Sequence, residues 1–206
     1  MPKIVDKKAK KLEILHVAMR VFAQKGVVKT KMIDIATAAR IGKGTIYEYF
    51  SSKEDIFETA FVFFFQIMDQ TIREALAKTN DPLEQLHLLV EKSFEGMMHG
   101  GEGFAEIMMD FWAEGVRNKN REVLDTIDLK GIYSRYRKMI KGILDNGIKQ
   151  GVFREMDSKM VASVFIGTLD GIMLQWILDH KAINIRKGYQ VLLETMIEGL
   201  RPKAQG

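Results

Sequence analysis

The chain has 206 residues, of which 47% are hydrophobic and 28% charged, a composition typical of a globular protein and too apolar for a disordered one. It contains no cysteine, which excludes disulfides, thiolate metal sites and a cysteine nucleophile. Residues 1–53 hold 12 basic and 4 acidic residues, whereas the remainder holds 19 basic and 23 acidic ones. This asymmetry predicts that only the first segment contacts a polyanion, although a lysine run alone is more typical of a solvated tail.

Two features of the sequence bear on where the protein resides: its N-terminus and its longest apolar stretch. The N-terminal residues are too polar to contain a secretory signal. The longest apolar stretch, from Met160 to Leu178, contains Asp170 and other polar residues, so we expect a buried helix rather than a membrane span. The sequence therefore predicts a soluble, cytoplasmic protein.

The first three predicted helices are short or amphipathic. Helical spacing of apolar residues from Lys7 to Lys25 predicts a first helix that ends at Gly26. A second is predicted from an N-cap at Thr30 to about residue 38, and a third over about residues 42–50. The expected inward positions of the first two helices are Leu12, Ile14, Leu15, Ala18, Met19, Val21, Phe22, Ile33, Ile35 and Ala36.

The remaining predicted elements are longer helices. A fourth begins after a serine cap at Ser51 or Ser52 and carries a phenylalanine-rich run to about residue 78. A fifth begins at Pro82 and ends near Gly100. Further helical stretches are predicted at roughly 103–118, 121–150, 157–180 and 186–200. No segment has a convincing strand pattern, so the predicted fold class is all-α with about nine helices.

Residues 30–50 have the dimensions of a helix-turn-helix unit, with two short helices and a turn of three or four residues. Gly42 and Gly44 leave the start of the second helix free of bulk, so its backbone can approach DNA closely. Lys43, Thr45 and Tyr47 alternate with the apolar Ile46 and Phe50, which we expect to be core. One face is thus predicted to pack inward while the other is free to contact bases and phosphates.

The same residues carry a family resemblance. The positions are Ile14, Ala18, Phe22, Gly26, Thr30, Ile35, Ala36 and the run Gly-Thr-Ile-Tyr-Glu-Tyr-Phe-Ser-Ser-Lys-Glu at residues 44–54. This pattern is similar to the N-terminal DNA-binding domain of the tetracycline-repressor (TetR) family. The resemblance implies a helix-turn-helix domain over residues 1–53 and an effector-binding and dimerisation domain over residues 54–206. It further implies a homodimeric, ligand-responsive transcription factor, usually a repressor, that binds a palindromic operator and needs no cofactor or metal.

Two residues depart from the family pattern. Arg40 stands in the turn where glycine is usual, and Gly42 stands where serine is frequent. A left-handed conformation at Arg40 costs on the order of 1 kcal/mol, which an added phosphate contact could offset. Gly42 remains acceptable as a helix N-cap, at a loss of a few tenths of a kcal/mol.

The resemblance assigns DNA contacts position by position. It implies phosphate contacts by Thr30, Tyr47 and Lys53, together with the added contact by Arg40, and base or groove-wall contacts by Lys43, Gly44 and Thr45. Tyr49 is expected at the DNA backbone or packed on a neighbouring helix, and Lys53 is alternatively a solvated helix start. The Lys7–Lys11 cluster is expected to form either an arm that reaches the adjacent minor groove or phosphates, or a disordered tail.

The larger segment carries candidates for an effector pocket, although each one taken alone is more typical of a core residue. They are Phe61, Phe64, Phe65, Met68, Met97, Met98, His99, Met108, Met109, Phe111 and Trp112. A row of acidic residues at 106, 110 and 114 could receive a cationic ligand, but such a row is more often solvated. The apolar composition favours a hydrophobic or amphipathic effector, such as an acyl chain or an aromatic compound.

The C-terminal segments 158–179 and 186–200 resemble the paired helices through which the family dimerises. The predicted interface residues are Val161, Val164, Phe165, Thr168, Leu169, Ile172, Trp176, Leu192 and Met196. Gly167 and Gly171, four residues apart, would allow another helix to approach closely.

Two alternatives remain at this point. Glu-x-x-His occurs at Glu13–His16 and at Glu84–His87, and helical di-iron oxidases use two such pairs with two further glutamates. The first pair, however, lies on the first helix of the predicted DNA-binding unit. A DNA-binding protein without an effector is the other alternative.

Overall fold

The structure is a computed structural model that describes residues 6–99, 107–109 and 128–202. These residues form helices and no strands, which confirms the predicted all-α class. The helices are α1 (Lys7–Lys25), α2 (Met32–Ala38), α3 (Lys43–Tyr47), α4 (Lys53–Leu76), α5 (Pro82–His99), α6 (Leu129–Lys149), α7 (Ser158–Leu178) and α8 (Ile185–Leu200). Residues 107–109 are also helical.

Chain contacts divide the protein into two compact units. The first unit comprises Met1–Ile67 and Met97–Ile127, and the second comprises Met68–Gly96 and Asp128–Gly206. Helix α4 begins in the first unit and ends in the second.

Helix α1 already includes the basic residues at the start of the chain that were considered as a separate arm. The Asp6 carboxylate accepts hydrogen bonds from the backbone N–H groups of Lys8 and Ala9, and so caps the helix. The Lys7–Lys11 cluster is therefore part of α1, so the expectation of a disordered tail is wrong, while its contact with DNA remains a prediction. The C-terminal end is as predicted, because Gly26 has φ of 76° and donates its N–H to Phe22 O at 2.8 Å.

Helix α2 begins one residue later than predicted. Its N-cap is Lys31, whose backbone N–H donates to the Asp34 carboxylate at 2.9 Å, so the expected cap at Thr30 is wrong. Met32 is buried, whereas Ile33 is 45% exposed. The expectation that Ile33 faces inward is thus also wrong, and the same holds for Leu12 on α1, which is exposed.

Aromatic side chains form the core of the first unit around α4. Phe22 and Phe57 pack edge to face with ring centroids 5.7 Å apart, and Phe57 continues to Phe61 at 6.0 Å. Ile46 and Phe50 are buried in the same unit, as expected from the sequence. At the start of α4, Ser52 Oγ accepts from Asp55 N at 3.0 Å, which identifies Ser52 as the capping serine.

In the second unit polar side chains connect α6 and α7. Tyr133 OH donates to Asp170 Oδ2 at 2.7 Å, and Arg137 Nε donates to Ser163 Oγ at 2.9 Å. Helix α8 joins through Tyr189, whose ring lies edge to face on Phe94 of α5 at 5.5 Å.

Helix α7 differs from the expectation of a buried helix. Among the helices that the structure describes, it is the one whose length and composition would allow it to cross a membrane, and 17% of its apolar window is buried within the chain. An apolar core helix of a soluble protein meets the same criterion of length and composition, so this is weak evidence for a membrane. Most of the remaining residues of α7 are half-buried, and its exposed large apolar residues are Met160, Val164, Leu174 and Leu178.

Candidate DNA-binding and effector sites

The turn between α2 and α3 has the geometry of a Schellman motif. Ile41 N donates to Ala36 O at 3.0 Å, and Arg40 N donates to Thr37 O at 3.1 Å. Arg40 occupies the position after the helix end that normally carries glycine, and its φ is 54°. The left-handed conformation considered from the sequence is therefore present, and the Arg40 side chain is exposed beside the start of α3.

Helix α3 separates an inner from an outer face. Gly42 is its N-cap, and Ile46 is fully buried. On the outer side Lys43 and Gly44 are exposed, Thr45 is half-buried and Tyr47 is 49% exposed. The outer face thus offers a cation, an open backbone, a hydroxyl and a phenol. These groups suit contacts to phosphates and base edges.

Two residues assigned to phosphate contacts have partners inside the protein. Thr30 is 1% exposed, and its Oγ1 donates to Gly26 O at 2.8 Å. Lys53 Nζ donates to the carbonyl oxygens of Val27 and Val28, both at 2.8 Å. Lys53 therefore holds the loop between α1 and α2 to the first residue of α4.

Ion pairs shape the charge around this surface. Lys25 Nζ lies 2.9 Å from Asp34 Oδ1, and the hydrogen bonds from Lys25 and from the Lys31 backbone lower the pKa of Asp34. Lys11 Nζ lies 4.9 Å from the centre of the Phe50 ring, which is a cation–π contact just after the end of α3. Tyr49, the other aromatic residue assigned to DNA, is half-buried.

The phenylalanine-rich part of α4 forms a ring cluster. The centroids of Phe61 and Phe65 are 4.8 Å apart, and those of Phe64 and Phe65 are 5.4 Å apart at right angles. Phe61 is fully buried, whereas Phe64 and Phe65 are half-buried. The cluster is thus partly accessible, as an apolar binding wall requires.

The methionines assigned to the pocket differ in burial. Met68 is buried, and its Sδ lies 3.1 Å from where a Cβ on Gly96 would be, so only glycine fits there without a shift. Met108 is buried, Met97 and Met109 are half-buried, and Met98 is exposed. The side chain of His99, together with Phe111, Trp112 and the acidic row at 106, 110 and 114, lies outside the described residues.

Sequence reasoning missed three carboxylate or phenol oxygen atoms that are buried without a hydrogen-bond partner. In the described part of the chain these atoms are Glu58 Oε1, Asp69 Oδ1 and Tyr136 OH. Burial, and secondarily the charge of Asp55, raises the pKa of Glu58. A carboxylate among the apolar residues of α4 was the available signal, because such a residue is costly unless it has a use.

Asp170 is another polar group within an apolar helix. Burial raises the pKa of Asp170 to about 6, although the hydrogen bond from Tyr133 acts in the opposite direction. Burial also raises the pKa of Tyr133, and the Asp170 charge adds to that shift. Like the hydrogen bond between Arg137 and Ser163, this pair links α6 to α7 through polar side chains.

The predicted dimer residues lie on two sides of α7 and, for Leu192 and Met196, on α8. Phe165 is 1% exposed and belongs to the core of its own chain, which does not favour its assignment to an interface. Val164 is 54% exposed, and Val161, Thr168, Leu169, Ile172, Trp176, Leu192 and Met196 are half-buried. A continuous outer stripe follows α7 at spacings of three and four: Met160, Val164, Gly167, Gly171, Leu174 and Leu178.

The two Glu-x-x-His pairs lie on exposed surfaces. Glu13 forms an ion pair with Lys10 at 2.8 Å, and His16, Glu84 and His87 are exposed. Among the described residues no group of three or more histidine or carboxylate side chains is arranged to hold a metal ion. This arrangement does not favour the di-iron alternative.

Comparisons with known proteins agree with the geometry over almost the whole chain. The family model described as "Bacterial regulatory proteins, tetR family" matches residues 14–60, and that described as "YsiA-like protein, C-terminal region" of the same family matches residues 64–199. The "Fatty acid metabolism regulator protein" of Bacillus subtilis is 29% identical over 206 residues, covering 96% of this chain and 99% of that protein. The transcriptional repressor KstR2 of Rhodococcus jostii is 26% identical, covering 94% and 92%. The solved structure of FadR from Bacillus subtilis, in complex with stearoyl-CoA, is 26% identical with a TM-score of 0.72, covering 92% of this chain and 99% of that one.

Proposed function

Because the chain belongs to the TetR family of bacterial regulatory proteins, we propose that it is a homodimeric repressor that an amphipathic effector releases from a palindromic operator. It is a DNA-binding transcriptional regulator, and we place it in the cytoplasm, where its DNA is. The observation that carries the proposal is the outer face of α3, where Lys43, Thr45 and Tyr47 surround the open backbone of Gly44.

Docking of α3 in the major groove follows from this face. Tyr47 and the exposed Arg40 are proposed to contact phosphates on either side of the groove, while Lys43 and Thr45 reach base edges. Thr30 and Lys53 are given a different role, since their polar groups bind Gly26 O and the carbonyls of Val27 and Val28. They hold the DNA-binding helices in register rather than reach the DNA.

The outer stripe of α7 supports a homodimer. An added Cβ at Gly167 or Gly171 would meet no atom within 4 Å, so the middle of the stripe is open to close approach by another helix. A second copy of α7 would cover the apolar surface that the single chain leaves exposed. Two copies related by a two-fold axis would present two α3 helices to two half-sites.

An acyl compound is the effector class that we propose. The ring cluster of Phe61, Phe64 and Phe65 on α4 offers an apolar wall. The similar proteins include a fatty acid metabolism regulator of Bacillus subtilis, and the similar solved structures include a FadR bound to stearoyl-CoA. Helix α4 starts at Lys53, beside the DNA-binding helices, and carries this cluster about two to three turns later. An effector that shifts α4 would therefore change the spacing of the two α3 helices and weaken operator binding.

The test uses a duplex that the wild-type protein enriches from a randomised pool. We expect Tyr47→Ala to lower its affinity at least about tenfold, because a backbone contact and its groove packing are lost, while the protein remains dimeric. Gln24→Ala, an exposed change on α1, is the matched control and should bind like the wild type. Hexadecanoyl-CoA should weaken binding by both the wild type and the control. Normal affinity of Tyr47→Ala would contradict the docking geometry, and no response to any acyl-CoA would favour a regulator without such an effector.

A further inference from the structure

One acidic residue lies on the outer face of α3. Glu48 is the C-cap of this helix and is exposed, and its φ of −72° and ψ of −20° are helical. The hydrogen bond from Phe50 N to Ile46 O, at 3.1 Å, continues the helical turn beyond Glu48. At 3.6 residues per turn, Glu48 lies roughly 160° around the helix from Ile46 and from Phe50, which are both buried. Glu48 therefore projects directly away from the core, toward the side on which we place the DNA.

The other acidic residues within residues 6–55 all have partners inside the protein, whereas Glu48 has none among the described residues. These partners form hydrogen bonds or ion pairs, and the acids that they bind are Asp6, Glu13, Asp34, Glu54 and Asp55. An unpaired carboxylate that faces DNA is repelled by the phosphates, which place one negative charge on about every 1.7 Å of the duplex. A carboxylate at this position is therefore expected to make a contact that outweighs the repulsion.

The local shape of α3 directs the Glu48 side chain toward the bases. The side chains of a helix tilt toward its N-terminus, so that of Glu48 leans over the preceding turn, where Gly44 lies. A Cβ placed on Gly44 would meet no atom within 4 Å, so the space above this residue is open. In a helix-turn-helix protein the N-terminal residues of the recognition helix contact the base edges. The carboxylate can thus reach the major groove over the bare backbone of Gly44.

We propose that Glu48 is a specificity-determining residue that accepts a hydrogen bond from the amino group of a cytosine in each half-site. A carboxylate can only accept, and the amino groups of cytosine and adenine are the donors that bases present in the major groove. Adenine places its N7 acceptor beside that donor and would repel the second carboxylate oxygen, whereas cytosine has no acceptor on this edge. The inference rests on the proposed function and deepens it, since it names a base that the proposed regulator reads.

The first test selects duplexes from a randomised pool with the wild type and two variants, and sequences them. Glu48→Gln keeps the shape of the side chain but supplies a donor and an acceptor, which suit N6 and N7 of adenine. One C·G pair in each half-site should therefore change to A·T, with the rest of the motif unchanged. Glu13→Gln removes an equal charge from α1 and should select the wild-type motif. A wild-type motif without a C·G pair, or a motif that Glu48→Gln leaves unchanged, would overturn the inference.

The second test measures affinities by fluorescence anisotropy, with each C·G pair of the wild-type motif replaced in turn by A·T in both half-sites. At one position the wild type should bind the C·G duplex at least about fivefold more tightly than the A·T duplex. Glu48→Gln should reverse this order, and Glu13→Gln should keep it. If Glu48→Gln instead binds every duplex more tightly by the same factor, the carboxylate only repels phosphates and the inference is overturned.

The failure of this inference can be told apart from the failure of the proposed function. A wild-type protein that selects a palindromic motif, whose base preferences Glu48→Gln does not alter, retains the proposed function and lacks the readout by Glu48. A wild-type protein that enriches no motif lacks both the proposed function and the readout that depends on it.

Discussion

At the residue scale, Arg40 is the position where the chain accepts backbone strain. Its φ of 54° lies in the left-handed region, which costs an L-residue roughly 1–2 kcal/mol relative to the ordinary region. Glycine would avoid most of that cost, at the expense of about 0.5–1 kcal/mol of conformational entropy. A strained arginine beside the recognition helix is therefore expected to have a use, and its exposed guanidinium suits a phosphate.

The comparison of Arg40→Gly with Arg40→Ala separates strain from charge. Both variants lose the guanidinium, so operator affinity should fall and the slope of log K against log salt should decrease by about 0.9. Arg40→Ala keeps the left-handed residue, so its free energy of unfolding should be lower than that of Arg40→Gly by up to about 1 kcal/mol. Anisotropy titrations over a salt series and urea unfolding measure the two effects. An unchanged salt slope would remove Arg40 from the interface.

The same scale shows where sequence reasoning stops. The αL turn at Arg40 and the buried Ile46 follow from local pattern, because each depends on residues within one turn of the chain. The role of Lys53 could not be predicted in this way. It binds the backbone carbonyls of Val27 and Val28, which lie more than 20 residues earlier and which any residue type could supply.

At the element scale, α7 has one face that packs inside its own chain and one face that is exposed, and its composition does not distinguish the two. Its apolar residues cover nearly the whole circumference. The sequence therefore predicts that the helix is buried, but not whether its own chain or a second copy covers each face. In the structure, Ala162, Phe165 and Met173 pack inside the chain, while the stripe from Met160 to Leu178 faces outward. The outward face is long enough to pair with its own copy along five turns.

A charge placed on this stripe tests the pairing. In a two-fold interface Val164→Lys would bring two ammonium groups into the same apolar contact, so we expect a predominantly monomeric protein at micromolar concentration. Val28→Lys, at an exposed apolar residue of the loop between α1 and α2, is the control and should remain dimeric. Size-exclusion chromatography with light scattering gives the mass. A dimeric Val164→Lys protein would place the interface elsewhere.

At the scale of the whole molecule, α4 is the element that belongs to both compact units. Its first residue holds the loop of the DNA-binding helices, its middle carries the phenylalanine cluster, and its last turns carry Asp69 and Arg73. Helix bounds and the family resemblance could be read from the sequence because both are local patterns. The division of α4 between two units depends on contacts across the whole chain and could not.

The most direct test of the central claim is selection of bound duplexes from a randomised DNA pool, followed by sequencing. A dimer that places two α3 helices in successive major grooves predicts a palindromic motif, with half-sites about 10 base pairs apart or a multiple of that. Tyr47→Ala should enrich no motif under the same conditions. A motif without two-fold symmetry, or no enrichment by the wild-type protein, would contradict the account.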